Sequence, residues 1–293
     1  MQNYKAIIEA DFPELEIGEV KIHDDSWDNV AVEVNGEYIF RFPEKKEGTE
    51  NPFAVEVRAL KYLQDKITLP IPNPTFTGKT VPYMGYRKIP GERLSTELYD
   101  SLTKAGKQRL VSDLANFLWE IHQSMTPEEA QAMDVKTEHP LIFVQQILSV
   151  LLQQITDETL LDFIQNTAAE FEEVVQQKSI AVFLHNDLHE TNMAFDPVAR
   201  KLNGIFDFGD IATGDIHSDF NPLYSFNRDL LERVVLRYQE LSGRTLSLRR
   251  IVLYDRINSL SDLAEVIDKP ESEVYQHVLR RIAHWKKELG IYT

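Results

Sequence analysis

The chain has no cysteine. That excludes a disulfide scaffold, a thiolate zinc site and a thiol nucleophile, and it fits a reducing compartment. Neither G-x-G-x-x-G nor G-x-x-x-x-G-K-[ST] occurs, so no glycine-rich phosphate loop of a standard kind is present. Long apolar runs are also missing. The longest, such as Ile180 to Leu184, fall far below the roughly 18 residues of a membrane span, and no membrane partner is expected. The opening MQNYKAIIEADFPELEI lacks a basic start followed by an apolar stretch, so no signal peptide and a cytoplasmic location are expected. Positive charge is in deficit, with 31 Lys and Arg against 47 Asp and Glu and a net charge of −16. Such a surface does not favour nucleic acid, whereas a cationic small molecule would be attracted to it. At 293 residues and 43% hydrophobic, the chain can build one large domain or two modest ones.

The first ninety residues read differently from the rest. Val30 to Val34 and Tyr38 to Phe42 are β-rich runs around Asn35-Gly36, a strong hairpin signal. Phe53, Val57, Leu60 and Leu63 then recur at near-helical spacing, and Leu69-Pro-Ile-Pro-Asn-Pro stops that helix. Strand-like runs at Thr75 to Thr77 and Tyr83 to Ile89 close on Pro90-Gly91. Helical patterns follow at Lys104 to Gln123, Pro140 to Gln154 and Asp157 to Gln177, and again at Asp229 to Ser242, Leu246 to Asp268 and Glu271 to Leu289. Between the two helical groups lies a β-rich insert from Ile180 to Phe208. The expected layout is a β-rich part at 1–90 and a larger helical part at 91–293, joined at Pro90-Gly91.

The insert carries the chemistry. His185-Asn-Asp187-Leu-His-Glu-Thr-Asn192 reads as H-x-D-x-x-x-x-N, and fifteen residues past Asn192 comes Asp207-Phe-Gly. Phosphoryl transfer needs metal ions at the transferring group and a carboxylate that positions the attacking hydroxyl. In that pattern Asp187 takes or orients the hydroxyl proton, Asn192 offers an amide oxygen to Mg2+, and Asp207 offers a hard carboxylate. Two polar turns would also use Asn and Asp, but they do not explain the joint spacing. His185 is expected to brace the loop. His189 and Glu190 inside it either meet the acceptor or are solvated. Asp215 and Asp219 are expected to cap the next helix or hold the loop. Asn186 stands where protein kinases place Arg, only eleven residues separate Asp207 from Asp219, and no A-P-E follows. There is little room for a peptide platform, so the acceptor is expected to be small.

For the nucleotide, ATP or GTP, the candidate loop is His23 to Asn29, with Ser26 as a phosphate cap. Arg41 on the second strand of the hairpin and Glu56 on the following helix are the candidate phosphate cation and its partner. The backbone from Arg87 to Ile89 is expected to meet the base.

These stretches resemble the aminoglycoside phosphotransferase family, most nearly the aminoglycoside 2″-phosphotransferases. The likeness is carried by Ser26-Trp-Asp-Asn-Val-Ala, Glu37-Tyr-Ile-Phe-Arg-Phe-Pro, Leu69-Pro-Ile-Pro, Gly85-Tyr-Arg-Lys-Ile-Pro-Gly, His185-Asn-Asp-Leu-His and Ile205-Phe-Asp-Phe-Gly-Asp. The resemblance implies an α+β, bilobal, protein-kinase-like fold with a five-stranded sheet in the first lobe. It implies Asp187 as base, and Asn192 and Asp207 as magnesium ligands. Arg41 stands where the family usually has Lys. The family places its acceptor between the catalytic loop and the last helices. There Asp262 and Glu265, three apart, share a helix face that suits ammonium groups, while Leu260, Leu263 and Ile267 offer an apolar wall. Three readings stay open: an aminoglycoside kinase, a kinase for a macrolide or a small hydroxylated metabolite, and a nucleotide-binding pseudokinase.

Overall fold

A computed structural model describes residues 3–23, 29–44 and 51–288. The first lobe is built on an antiparallel sheet of β1 (Val20–His23), β2 (Asn29–Val34), β3 (Tyr38–Pro43), β4 (Pro74–Thr77) and β5 (Met84–Arg87), in the order β1-β2-β3-β5-β4. Asn35 and Gly36 both adopt positive φ, 55° and 70°, and turn β2 tightly onto β3. This is the hairpin that Asn-Gly predicts, with three residues, Asn35 to Glu37, between the paired Val34 and Tyr38.

Strand periodicity then assigns faces. Phe40 and Phe42 are buried on one face with Val32, Val34, Tyr83 and Ile8 of α1 (Tyr4–Asp11). Arg41, between the two phenylalanines, points to the other face. That face meets α2 (Ala54–Leu63), whose Glu56 is buried, beside a small cluster of Phe53, Met84 and Tyr86.

The second lobe is mostly helical: α3 (Thr96–Ser101), α4 (Lys104–Ser124), α5 (Pro127–Ala132), α6 (Pro140–Gln154), α7 (Glu158–Val175), α8 (Asn221–Phe226), α9 (Arg228–Ser242), α10 (Leu248–Val266) and α11 (Glu273–Glu288). α4 packs along α9, and α10 lies among α6, α7, α8 and α11 with buried residues around its whole circumference. A helix buried on all sides has no single apolar stripe.

The β-rich insert, expected from Ile180 to Phe208, runs on to Asp215 and divides between two three-stranded sheets. β9 (Met193–Asp196) pairs with β10 (Lys201–Ile205) and recruits β6 (Glu92–Arg93). β8 (Ala181–Leu184) pairs with β11 (Ala212–Asp215), which recruits β7 (Lys136–Thr137). Two-residue strands such as β6 and β7 carry no periodicity of their own, so only the partner strand reveals them. Gly91, at φ 144°, runs against β9, where a Cβ would stand 2.9 Å from Phe195 backbone atoms. The joint between the lobes therefore rests on the sheet of β6, β9 and β10. Among the described residues no helix is long and apolar enough to cross a membrane.

Candidate active site

The loop after β8 is held from below. Backbone N–H groups of His185 and Asn186 donate to the two oxygens of Asp219 at 2.9 and 2.6 Å. Asn186 adopts φ 67°, which turns the chain so that both amides face the same carboxylate. Asp219 is fully buried and lies 3.0 Å from His122 Nε2, whose Nδ1 is 2.9 Å from the Tyr238 hydroxyl. With Nε2–H donating to Asp219, Nδ1 accepts the tyrosine proton. His185 braces the loop from above. Burial lowers its pKa and keeps the ring neutral, so Nδ1 accepts the Asp187 N–H at 3.3 Å while Nε2 donates to the Phe206 carbonyl at 3.3 Å. Its ring also packs on Phe208, at 4.6 Å between centroids. One imidazole thus ties the Asp187 loop to the Asp207-Phe-Gly turn.

Asp187 and Asn192 are joined directly. The Asn192 amide nitrogen donates to Asp187 Oδ2 at 2.7 Å and to the Asp187 carbonyl at 3.0 Å. With the nitrogen taken up in this way, the Asn192 oxygen is the group left for a hard cation. Burial, then the carboxylates of Asp210 and Asp207, push the Asp187 pKa up to about 7, and the Asn192 bond only partly opposes this. Asp187 is therefore a carboxylate poised near neutrality, the range in which a general base works best.

Arg41 spans the other wall. Its Nη1 donates to Glu56 at 2.6 Å and its Nη2 to Asp207 at 2.7 Å. Burial opposes its charge, but Glu56 and Asp207 outweigh burial and hold the guanidinium protonated. Burial raises Glu56 to about 7 despite Arg41. Asp207 sits at φ 65°, at the foot of β10, with a third of its side chain exposed.

These walls enclose a cleft of about 690 Å³ between the lobes. Asp187, Asn192, Asp207, Arg41, Tyr86 and Ile89 all line it. Lys88 lines it too and pairs with Glu33 at 2.9 Å, with His23 on the same carboxylate at 3.3 Å. Neither Glu33 nor Lys88 stands out in the sequence, because their pairing crosses from β2 to the segment after β5. The Arg87 side chain is 79% exposed and faces Glu37, since strand alternation turns it away when Tyr86 and Lys88 turn in; the expectation at Arg87 concerns its backbone. Ser26 lies outside the described residues. Glu56 is not at the cleft surface itself but buried behind Arg41.

The proposed acceptor residues lie beyond the catalytic loop. Glu190 is half-buried in the turn that leads to Asn192. Asp262 on α10 is half-buried and paired with Arg281 at 3.1 Å, while Glu265, one turn on, is exposed. The shared helix face therefore carries one half-buried carboxylate and one exposed one. Sequence reasoning also missed His122 and Tyr238, whose link to the loop spans 97 residues to Asp219. It offered both roles found for the other two aspartates: Asp215 caps the 3-10 turn at Ile216–Phe220, and Asp219 holds the loop.

Solved structures share this architecture. The GDP complex of wild-type aminoglycoside 2′-phosphotransferase-IIIa superposes with a TM-score of 0.86 at 24% identity, over 98% of this chain and 99% of that one. The streptomycin–ATP ternary complex of APH(2″)-IIa matches at 0.73 and 20% identity over 97% of both chains. Macrolide 2′-phosphotransferase type I matches at 0.71 and 15% identity, over 96% of this chain and 97% of that one. Residues 19–252 match the phosphotransferase enzyme family, and by that span, with its bilobal kinase-like fold, the chain belongs to this family and is a phosphotransferase.

Proposed function

We propose that this phosphotransferase moves the γ-phosphoryl group of ATP or GTP to a hydroxyl of a cationic small molecule of the aminoglycoside class. The observation that carries the reading is the meeting of Asp187, Asn192 and Asp207 on one wall of the cleft, with Arg41 and Glu56 opposite. The division of labour follows the two lobes: residues 1–90 take the nucleotide and residues 91–293 supply the base and receive the acceptor.

Asp207 and the Asn192 amide oxygen would hold Mg2+, a donor set of hard oxygens suited to an ion whose other ligands are nucleotide phosphates and water. The ion would supply charge neutralisation at the transferring group. Arg41 is charged and forked, and Glu56 fixes its direction, so it can turn from Asp207 to phosphate oxygens at little orientational cost. Asp187 accepts the proton of the attacking hydroxyl, and Asn192 keeps its carboxylate aimed. The backbone from Arg87 to Ile89 would meet the base, a reading supported by Tyr86, Lys88 and Ile89 lining the cleft. On the acceptor side Glu190, Asp262 and Glu265 are carboxylates that would pair with ammonium groups. The aminoglycoside complexes among the structural neighbours support this choice of acceptor class.

The test is release of nucleoside diphosphate with ATP and GTP separately, across aminoglycosides, macrolides and small polyols, with and without Mg2+. Stimulation by aminoglycosides alone supports the reading. Stimulation by macrolides or polyols alone replaces the acceptor class, and nucleotide binding without turnover of any acceptor overturns the catalytic assignment.

A further inference from the structure

Beside the catalytic loop, a side chain of α11 occupies the carboxylates of α10. Arg281 Nη1 donates to Asp262 at 3.1 Å, and its Nη2 lies 3.2 Å from Asp255 Oδ1 and 2.9 Å from the Ser225 hydroxyl. The two carboxylates differ in access. The Asp255 side chain is 2% exposed and its Oδ2 has no hydrogen-bond partner among the described residues, whereas that of Asp262 is 46% exposed. Arg281 is thus anchored on a buried carboxylate and extends one nitrogen to an open one.

This cluster adjoins the reacting centre. His189 Nε2 stands 3.4 Å from Asp187 Oδ1, and Glu190, Asp262 and Arg281 all act electrostatically on that same imidazole. Burial raises the pKa of Asp255 and of Asp262, and in each case Arg281 is the main force opposing it. One guanidinium therefore serves several carboxylates, and it takes the geometry that an acceptor's ammonium would take on Asp262. A tethered guanidinium loses no translational freedom on binding, so a free ammonium competes with it at a disadvantage.

We propose that Arg281 is a specificity-determining residue: anchored on buried Asp255, it is the resident counter-cation of the open carboxylate Asp262, and it biases the enzyme against the most highly cationic acceptors. The proposal rests on the reading that the acceptor sits beside Asp187. It places the preferred acceptors among hydroxylated compounds with few amines near the reacting hydroxyl. The remaining open face of Asp262 and the side chain of Glu190 are left for one such amine.

Two variants test this. Arg281→Gln removes the cation, and Asp255→Asn/Arg281→Gln removes the buried charge together with its partner, so that no unpaired carboxylate is left inside. Binding of kanamycin, which carries several amines, and of glucosamine, which carries one, is measured by calorimetry at low salt on proteins with wild-type melting profiles. The expected result is kanamycin binding about tenfold tighter or more in both variants, the scale of one charge-assisted hydrogen bond, with glucosamine little changed and the gain shrinking at high salt. Arg281→Lys retains the charge without the fork, so its kanamycin binding should fall between wild type and Arg281→Gln. Unchanged or weaker kanamycin binding in the folded variants overturns the proposal and makes Arg281 a strut between α10 and α11. Tighter kanamycin binding without phosphorylation of kanamycin by the wild type upholds the role of Arg281 and overturns the acceptor class instead.

Discussion

Two largely buried aspartates of this molecule are driven in opposite directions. Asp215, in the floor of the second lobe, is pushed down to about 2, while Asp187, on the cleft wall, is pushed up to about 7. Burial raises both. At Asp215 it is outweighed first by the hydrogen bond from His217 Nδ1 at 2.6 Å, whose Nε2 accepts the Ser247 N–H, and then by the Ser179 hydroxyl, with Arg250 and Tyr254 on the other oxygen. At Asp187 the neighbours that matter are further carboxylates, and one amide is the main relief. The floor is electrostatically satisfied and stabilises the fold. The wall is left unsatisfied, the condition in which a group can take a proton or a cation from a substrate complex.

The difference can be broken from either side. The largest loss is expected from Asp207→Ala, which removes a carboxylate from the wall. Turnover should fall on the order of 10³-fold or more, the scale of deleting one charge-organising group of a phosphoryl transfer, with folding retained. Near-normal steady-state turnover would remove Asp207 from the site. Asp187→Asn should lower kcat by about 10²–10⁴-fold with nucleotide binding spared; a collapse of nucleotide affinity in a binding titration would make Asp187 structural.

On the floor, Asp215→Ala strands the buried guanidinium of Arg250, at a cost of about 3–5 kcal/mol. Denaturant unfolding at pH 7 measures this loss. Because the folded pKa of Asp215 is depressed, its contribution is present above the ordinary carboxylate range and disappears as pH falls towards about 2. The wild-type and variant curves should therefore converge in acid, and a constant gap down to that pH would separate Asp215 from its charge.

Arg41→Lys sharpens the comparison within the wall. One ammonium cannot reproduce a fork that reaches Glu56 and Asp207 through separate nitrogens, so nucleotide KM should rise about tenfold with a smaller change in kcat. Equal kinetics would show that charge alone suffices there. The smallest effect is on stability. In metal- and nucleotide-free protein, ionising Asp187 disfavours the folded state, since its folded pKa lies above the ordinary aspartate value of 3.8. That penalty is absent below that value and complete above about 7. Asp187→Asn should accordingly melt higher than wild type at pH 8 and no higher at pH 4, by calorimetry.

Much of the wall is legible in the sequence because its parts are local. H-x-D-x-x-x-x-N fixes a five-residue separation that a single loop must span, and the Asp207-Phe-Gly turn follows a strand paired with the one after Asn192. The Asn35-Gly36 hairpin and the apolar periods of the main helices are local in the same sense. Arg41 and Glu56 are readable once the catalytic pattern is seen, since both sit in the strand and helix that follow the hairpin. The floor is not legible in that way. His122 reaches Asp219 across 97 residues, and Arg250 reaches Asp215 across 35, with no motif linking them. The short strands Glu92–Arg93 and Lys136–Thr137 form only because a partner edge is offered.

The sequence by itself determined the reaction chemistry, the hairpin and the succession of helices, because spacing along the chain is what a loop, a turn or a helical period responds to. Tertiary structure alone decided that Arg41 faces the cleft with Asp207, that His122 backs Asp219 beneath the loop and that Arg281 sits on Asp255 and Asp262. Those outcomes depend on charges meeting across distant segments in a low-dielectric interior, where the sign and distance of the nearest neighbour, not its place in the chain, set the energy.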